Sequence, residues 1–190
     1  TNLSLSMHWP VFAPQECAEI AAQANGANWQ TKLPIGSGNV CVFPDAKEVK
    51  NTEYQSLRLG KNGYPLDQIN FGISQVNSDG WRFELTGIPA DDMPWMVRQK
   101  KGGVDDAPWE TDLAEAFTSS RKLSFILQLT DPNNYEGGDV ILHNTPSQTE
   151  GFRAQGTLIV FPSYWLHKIT PVTKGTRHAI VGWMHGHSFR

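Results

Sequence analysis

The 190-residue chain is short of cysteine, of histidine and of charge. Its two cysteines, Cys17 and Cys41, have no CxxC spacing and cannot make a framework of pairs. That excludes a disulfide-stapled scaffold and suits a reducing compartment, with both residues expected as plain thiols. Lys and Arg total 16 against 19 Asp and Glu, a net charge of -3. Such a balance leaves no electrostatic footprint for a phosphate backbone, so nucleic acid is not an expected partner. The short basic runs, Arg98, Lys100 and Lys101 and then Arg121 and Lys122, read as solvated surface. Long apolar runs are missing too: Leu158 to Phe161 is far shorter than a membrane span, and no basic segment followed by an apolar one opens the chain. The expectation is a cytoplasmic protein without membrane association. Six histidines are few enough to account for one by one.

What the chain does have is aromatic and turn-forming residues: seven Trp, nine Phe, 17 Gly and 12 Pro. With 39% hydrophobic residues it can bury one core, and residues 1–190 are expected to form a single domain. Pro14 to Asn25 carries Cys17, Ile20, Ala21 and Ala24 at helical spacing between an initiating proline and Gly26. Lys32 to Gly63 reads as loops with short strands, Asn39 to Phe43 among them. Ile69 to Val76 and Trp81 to Leu85 look strand-like, and Asn77-Ser78-Asp79-Gly80 between them predicts a hairpin. Lys100 to Ser120, with Gly102-Gly103, reads as a flexible loop. In the second half, Lys122 to Thr130 alternates with a period of two, and Asp139 to His143, Thr157 to Phe161, Trp165 to Thr170 and Arg177 to Trp183 are further short strands. Several short strands after one helix predict a β-sandwich or barrel with N-terminal helical cover.

The chemistry concentrates between Trp165 and Trp183, WLHKITPVTKGTRHAIVGW. A turn near Val172 would set His167 and Arg177 opposite each other on an antiparallel pair, projecting to the same side. An imidazole can hold a metal and a guanidinium fork can grip a carboxylate, so the two together imply a pocket for a metal and a carboxylate-bearing ligand.

The order of RKLSFILQLTDPNNYEGGDVIL (Arg121 to Leu142), GTLIVFPS (Gly156 to Ser163), LHKITPVTKGTR (Leu166 to Arg177) and the closing Trp183 resembles the iron(II)- and 2-oxoglutarate-dependent dioxygenases of the prolyl 4-hydroxylase-like, PKHD-type kind. The resemblance is strong over the C-terminal half and loose before it. It implies a mainly β fold, a double-stranded β-helix of jelly-roll, cupin-like type whose mouth holds iron(II), with 2-oxoglutarate as co-substrate and ascorbate as a possible helper. In that family a His-x-Asp pair and a distant His ligate the metal, and a basic residue about ten positions further on grips the far carboxylate of 2-oxoglutarate. His167 and Arg177 match the last two roles.

The proximal pair departs from the pattern. Its best match is Trp109-Glu110-Thr111-Asp112, in which Glu110 stands where a His is expected. Residues i and i+2 of an extended chain point the same way and can share one ion, so Glu110 and Asp112 remain the candidate ligands beside His167; the bland alternative is a pair of ordinary loop acids. Two carboxylates and one imidazole weaken the attraction for a dianionic chelator and suit harder ions such as manganese or magnesium as well as iron. His143 is the reserve ligand; His8, His178, His185 and His187 read as bystanders. Gln128 occupies a place where relatives often put a Tyr that bonds 2-oxoglutarate, the alternative being a solvent-facing side chain. Ser124 shares its face, the glycines of Tyr135 to Asp139 read as backbone necessities, and Trp165 and Trp183 as core.

Two functions follow. The first is an oxygenase that uses 2-oxoglutarate and O2 to hydroxylate an unactivated C–H bond, prolyl or another amino-acid side chain, in a peptide or small molecule. The second is a silent or metal-altered relative that binds a peptide or carboxylate.

Overall fold

The computed structural model describes residues 8–24, 30–31, 33–35, 40–42, 54–58, 65–101, 108–113, 116–143, 145 and 149–188. The chain runs through β1 (His8–Pro10), α1 (Pro14–Ala22), β2 (Gln30–Thr31), β3 (Leu33–Ile35), β4 (Val40–Val42), β5 (Tyr54–Arg58), α2 (Leu66–Asp79), β6 (Leu85–Gly87) and β7 (Trp95–Lys100). It continues through β8 (Arg121–Gln128), β9 (Tyr135–Gly137), β10 (Val140–Leu142), α3 (Thr149–Arg153), β11 (Thr157–Pro162), β12 (His167–Ile169) and β13 (Val172–Gly186). One antiparallel sheet has the order β1-β11-β8-β13-β7-β5-β2, with β6 and β9 on the two ends of the long β13. A smaller sheet pairs β10 with β12, and β3 pairs with β4.

The period of two in β8 divides the interior. Leu123, Phe125 and Leu127 face one core with Leu158, Val160, Ile180 and the helical residues Ile20, Ile69 and Ile73. Each of these fully buried side chains contributes about 1.5–3 kcal/mol. Ile126 faces the opposite way, into a second core with Trp95, Val97, Ile159, Phe161, Ala179 and Trp183, closed by Val140 and Leu142 of the small sheet. Helices thus cover one face of the large sheet, and the small sheet folds over the other. This is the mainly β, helix-covered arrangement expected from the sequence.

The helix expected at Pro14 is α1, with Pro14 in its first turn and the Glu16 carboxylate accepting the Ala13 N–H at 2.7 Å. Cys17 is a free, buried thiol whose pKa burial pushes up to about 11. Cys41 lies on β4, within the expected Asn39 to Phe43 strand; Phe43 falls outside the described residues, as does Gly102-Gly103.

Three expectations are corrected. Ile69 to Val76 is not a strand of a hairpin but part of α2: Leu66, Ile69, Ile73 and Val76 recur at helical spacing and are buried together, so packing overrides the β-branched local preference. Gly72 lets this helix approach the sheet, since a Cβ there would lie 2.9 Å from Leu158 Cδ2. The Asn77 to Gly80 segment ends the helix, and the Asn77 amide both donates to and accepts from the Phe83 backbone at 2.9 Å. Second, His167 and Arg177 do not sit on one hairpin. β12 pairs with β10, Leu142 opposite His167, whereas β13 opens against β9 and then lies between β7 and β8. Pro171, with no N–H to donate, lies where the chain crosses from the small sheet to the large one. Third, Arg121 and Lys122 are not surface residues: Arg121 is 1% exposed and Lys122 is buried.

Candidate metal centre

Glu110 and His167 exchange backbone hydrogen bonds, Glu110 N–H to His167 O at 3.0 Å and His167 N–H to Glu110 O at 2.9 Å. Two residues on, Asp112 N–H donates to Ser163 O at 2.9 Å and Ser163 N–H to Lys122 O at 3.0 Å. The segment is therefore stitched to the end of β12 and to the turn after β11. Its i and i+2 side chains face one way, and the ligand atoms of Glu110, Asp112 and His167 all lie within 4.8 Å of one another. His167 Nε2 is 3.5 Å from Asp112 Oδ1 and 4.0 Å from Glu110 Oε1.

These atoms are oriented. His167 Nδ1 is 3.0 Å from the Trp165 carbonyl oxygen. Only an N–H can face a carbonyl at that distance, so Nδ1 carries a proton and Nε2 is the ring nitrogen turned toward the carboxylates. The ring packs on Phe161, centroids 4.8 Å apart. Asp112 Oδ2 accepts the Ser124 hydroxyl, which leaves Ser163, 3.0 Å from Ser124 Oγ, to donate to Ser124. Ser124 thus fixes the Asp112 carboxylate with Oδ1 toward the imidazole. Burial, reinforced by the Asp112 charge and partly opposed by His167, pushes Glu110 up to about 7.

A buried network stands behind Asp112. Arg121 donates to both oxygens of Asp92 at 2.8 Å, reaches the Asp112 carbonyl at 3.3 Å and stacks 3.6 Å from the Trp183 ring centroid. His185 bonds Asp92 Oδ2 through Nε2 and Ser120 through Nδ1, each at 2.7 Å. Burial alone would raise the Asp92 pKa; the hydrogen bonds from His185 and Arg121 outweigh it and hold the carboxyl below its ordinary value. The members of this network lie far apart in the chain, so no local sequence pattern announces it.

Across the second core sits Arg177, 0% exposed. Its Nε donates to Gln128 Oε1 at 3.1 Å and its Nη1 to Gln99 Oε1 at 3.4 Å. Each amide is clamped from behind: Gln128 Nε2 donates to Phe152 O at 2.9 Å and Gln99 Nε2 to Thr170 O at 3.2 Å. Gln128 is therefore interior, not solvent-facing, and the two neutral amides orient the guanidinium without cancelling its charge. The one sequence signal for Gln99 is its alternation with Trp95 and Val97 on one face of β7. Gly138, at φ +63°, is where a Cβ would meet Arg177 Cδ at 2.8 Å and Tyr135 Cε2 at 3.5 Å. Tyr135 is 3% exposed, and its hydroxyl has no hydrogen-bond partner among the described residues.

The remaining histidines do not join the Glu110, Asp112 and His167 cluster. His143, the reserve, is exposed and packs edge-on against Trp109 with centroids 5.3 Å apart. His178 lies on the opposite face of β13 from Arg177, its pKa lowered by burial and then by Arg98, Lys100 and Arg177. His185 belongs to the Asp92 network and His187 is exposed, while His8 packs on Phe152.

One imidazole and two carboxylates, three donors on one side, fit a divalent first-row ion. Cis ligands about 2.1 Å from a metal stand about 3 Å apart, so the Asp112 and His167 atoms need little movement, and the longer Glu110 side chain can swing inward. A buried, pre-oriented guanidinium fits a dicarboxylate co-substrate.

A sequence model of the 2OG-Fe(II) oxygenase superfamily matches residues 103–185. The chain is 39% identical over 159 residues to a PKHD-type hydroxylase of Rippkaea orientalis, spanning 81% of this chain and 68% of that protein. It is 35% identical over 161 residues to one of Synechococcus sp. (strain CC9605), spanning 76% and 72%. Among solved structures, a Pseudomonas putida prolyl-4-hydroxylase aligns with a TM-score of 0.61 at 15% identity, over 95% of this chain and 91% of that one. The viral collagen prolyl hydroxylase of Paramecium Bursaria Chlorella virus-1, in its 2OG complex, gives 0.61 at 14%, over 98% and 100%. The structural likeness establishes the double-stranded β-helix, and the sequence identities go further: the chain belongs to the 2OG-Fe(II) oxygenase superfamily, with the PKHD-type hydroxylases.

Proposed function

We propose that the protein hydroxylates an unactivated C–H bond of an amino-acid side chain, a prolyl ring first, with Glu110, Asp112 and His167 holding the metal and Arg177 seating 2-oxoglutarate. The observation that carries this reading is the convergence of three candidate ligand atoms, those of Asp112 and His167 held by hydrogen bonds, in a barrel that also buries a guanidinium. Together, bound iron(II) and 2-oxoglutarate supply the oxidation, in which 2-oxoglutarate, O2 and R–H become succinate, CO2 and R–OH.

The chain's own part is placement. Arg177 pairs with the carboxylate remote from the metal, Gln128 and Gln99 aim its fork, and the Tyr135 hydroxyl offers a further donor. The Trp165 carbonyl and Ser124 hold His167 and Asp112 in ligating posture. Ile126, Val140 and Trp183 pack in the apolar core on the Arg177 face of the large sheet, and apolar surroundings strengthen polar contacts made there. The peptidyl substrate is suggested by the likeness to the Pseudomonas putida prolyl-4-hydroxylase and the viral collagen prolyl hydroxylase.

The test is succinate release from 2-oxoglutarate under iron(II), ascorbate and O2, with and without prolyl peptides. Release stimulated by a prolyl peptide, with an added oxygen in that peptide, is the expected result. No release from folded protein, coupled or uncoupled, would refute the oxygenase reading. In that event, retained 2-oxoglutarate binding would favour a carboxylate-binding module, for which Glu110 in place of an imidazole is the specific observation.

A further inference from the structure

The position before Thr111 and Asp112 is where this chain parts from its family, and the structure shows that the difference is not confined to sequence. Glu110 is not a loop acid turned to solvent. Its backbone is locked to His167 in both directions, its side chain is mostly buried, and its Oε1 lies on the same side as Asp112 Oδ1 and His167 Nε2. His143 stands exposed against Trp109 and does not supply the missing imidazole. The ligand atoms brought together are thus two carboxylate oxygens and one imidazole nitrogen.

We infer that Glu110 makes this an oxygen-rich centre that takes manganese(II) nearly as readily as iron(II), unlike a site with two imidazoles. Imidazole favours the later first-row ions, iron, nickel, copper and zinc, whereas carboxylate oxygens favour manganese and magnesium. Exchanging one nitrogen donor for an anionic oxygen therefore narrows the preference for iron over manganese. It changes charge as well: two carboxylates formally neutralise a divalent ion, where one leaves it positive. A dianionic co-substrate is then drawn less by the metal, and Arg177 carries more of its binding. This inference rests on the proposed metal site, though not on turnover.

The experiment uses the full chain stripped of metal and titrated with manganese(II), followed by electron paramagnetic resonance, and with iron(II) in anaerobic competition. Wild type is compared with Glu110→His and Glu110→Ala, each checked for folding by thermal melting. The iron-to-manganese affinity ratio is expected to be at least tenfold smaller in wild type than in Glu110→His. Glu110→Ala is expected to weaken manganese(II) binding at least tenfold. Pulsed resonance on the manganese-loaded proteins should count one coupled imidazole in wild type and two in Glu110→His. An unchanged ratio, manganese affinity unaltered in Glu110→Ala, or two imidazoles in wild type would each overturn the inference. If Glu110→His does not fold, Glu110→Gln substitutes, keeping the side-chain length and losing the charge; it should lose manganese(II) at least tenfold, and undiminished binding overturns the inference. The two readings fail separately: tight manganese(II) binding without succinate release defeats only the oxygenase, and turnover with iron-selective wild type defeats only this inference.

Discussion

Replacing Arg177 with Met removes the buried cation while keeping an unbranched side chain of similar reach. Arg177 is 0% exposed and held by Gln128 and Gln99. Deleting one partner of a buried charge pair costs about 3–5 kcal/mol, because the other charge is stranded away from water. The low end is the least loss expected, because both glutamines stay tied to Phe152 O and Thr170 O and present oxygens, not donors, to the stranded carboxylate. About 3 kcal/mol corresponds to about 150-fold in affinity. The assay is calorimetric titration of 2-oxoglutarate into manganese(II)-loaded protein without oxygen, with the thermal melt as a control for folding. Arg177→Lys should fall between, since it restores the charge and not the fork. A loss of less than threefold in folded Arg177→Met would refute the assignment of the co-substrate seat.

Three further outcomes are expected. Glu110 titrates near 7 in the metal-free fold, above its ordinary 4.5, so its protonated form is favoured there. The contribution of Glu110 to folding stability therefore declines as pH rises from about 4.5 to 7, while metal binding, which needs the carboxylate, weakens about tenfold per unit as pH falls below 7; calorimetry at pH 6, 7 and 8 with equal affinity throughout would contradict this. Asp92→Ala strands Arg121 in the interior and should cost about 3–5 kcal/mol. At about 2–4 °C per kcal/mol that lowers the melting temperature by roughly 6–20 °C, and a shift below 3 °C would show the network to be dispensable. Tyr135→Phe removes a buried hydroxyl that has no partner among the described residues, so it should stabilise the ligand-free form by about 1 kcal/mol and yet weaken 2-oxoglutarate binding fivefold or more. Destabilisation with unchanged binding would place the hydroxyl elsewhere.

Local pattern made part of this molecule legible. The alternation of Leu123, Phe125 and Leu127 announces β8, and the i, i+2 spacing of Glu110 and Asp112 brings two carboxylates to one side once the segment is extended. The helix α2 was hidden because Ile69, Ile73 and Val76 are β-branched, and their helical spacing acquires meaning only against the sheet that buries them. The separation of His167 from Arg177 suits a hairpin and a sheet change equally well; the pairing of β12 with β10, a contact far along the chain, decides between them. Asp92, Arg121 and His185 meet only after the whole sheet has formed, and in a linear reading Arg121 is one more basic residue beside Lys122. The position of Gln128 on β8 is legible, but the Phe152 carbonyl that aims it at Arg177, and Gln99 beside it, are connected to it by no spacing rule.

The central claim is that Glu110, Asp112 and His167 together form the metal centre. Anomalous diffraction at the manganese edge from crystals grown with manganese(II) tests it directly. One peak touched by Glu110 Oε1, Asp112 Oδ1 and His167 Nε2 is the expected result. A peak away from these three atoms, or one in which Glu110 is turned aside and His143 or water stands in its place, would contradict the account.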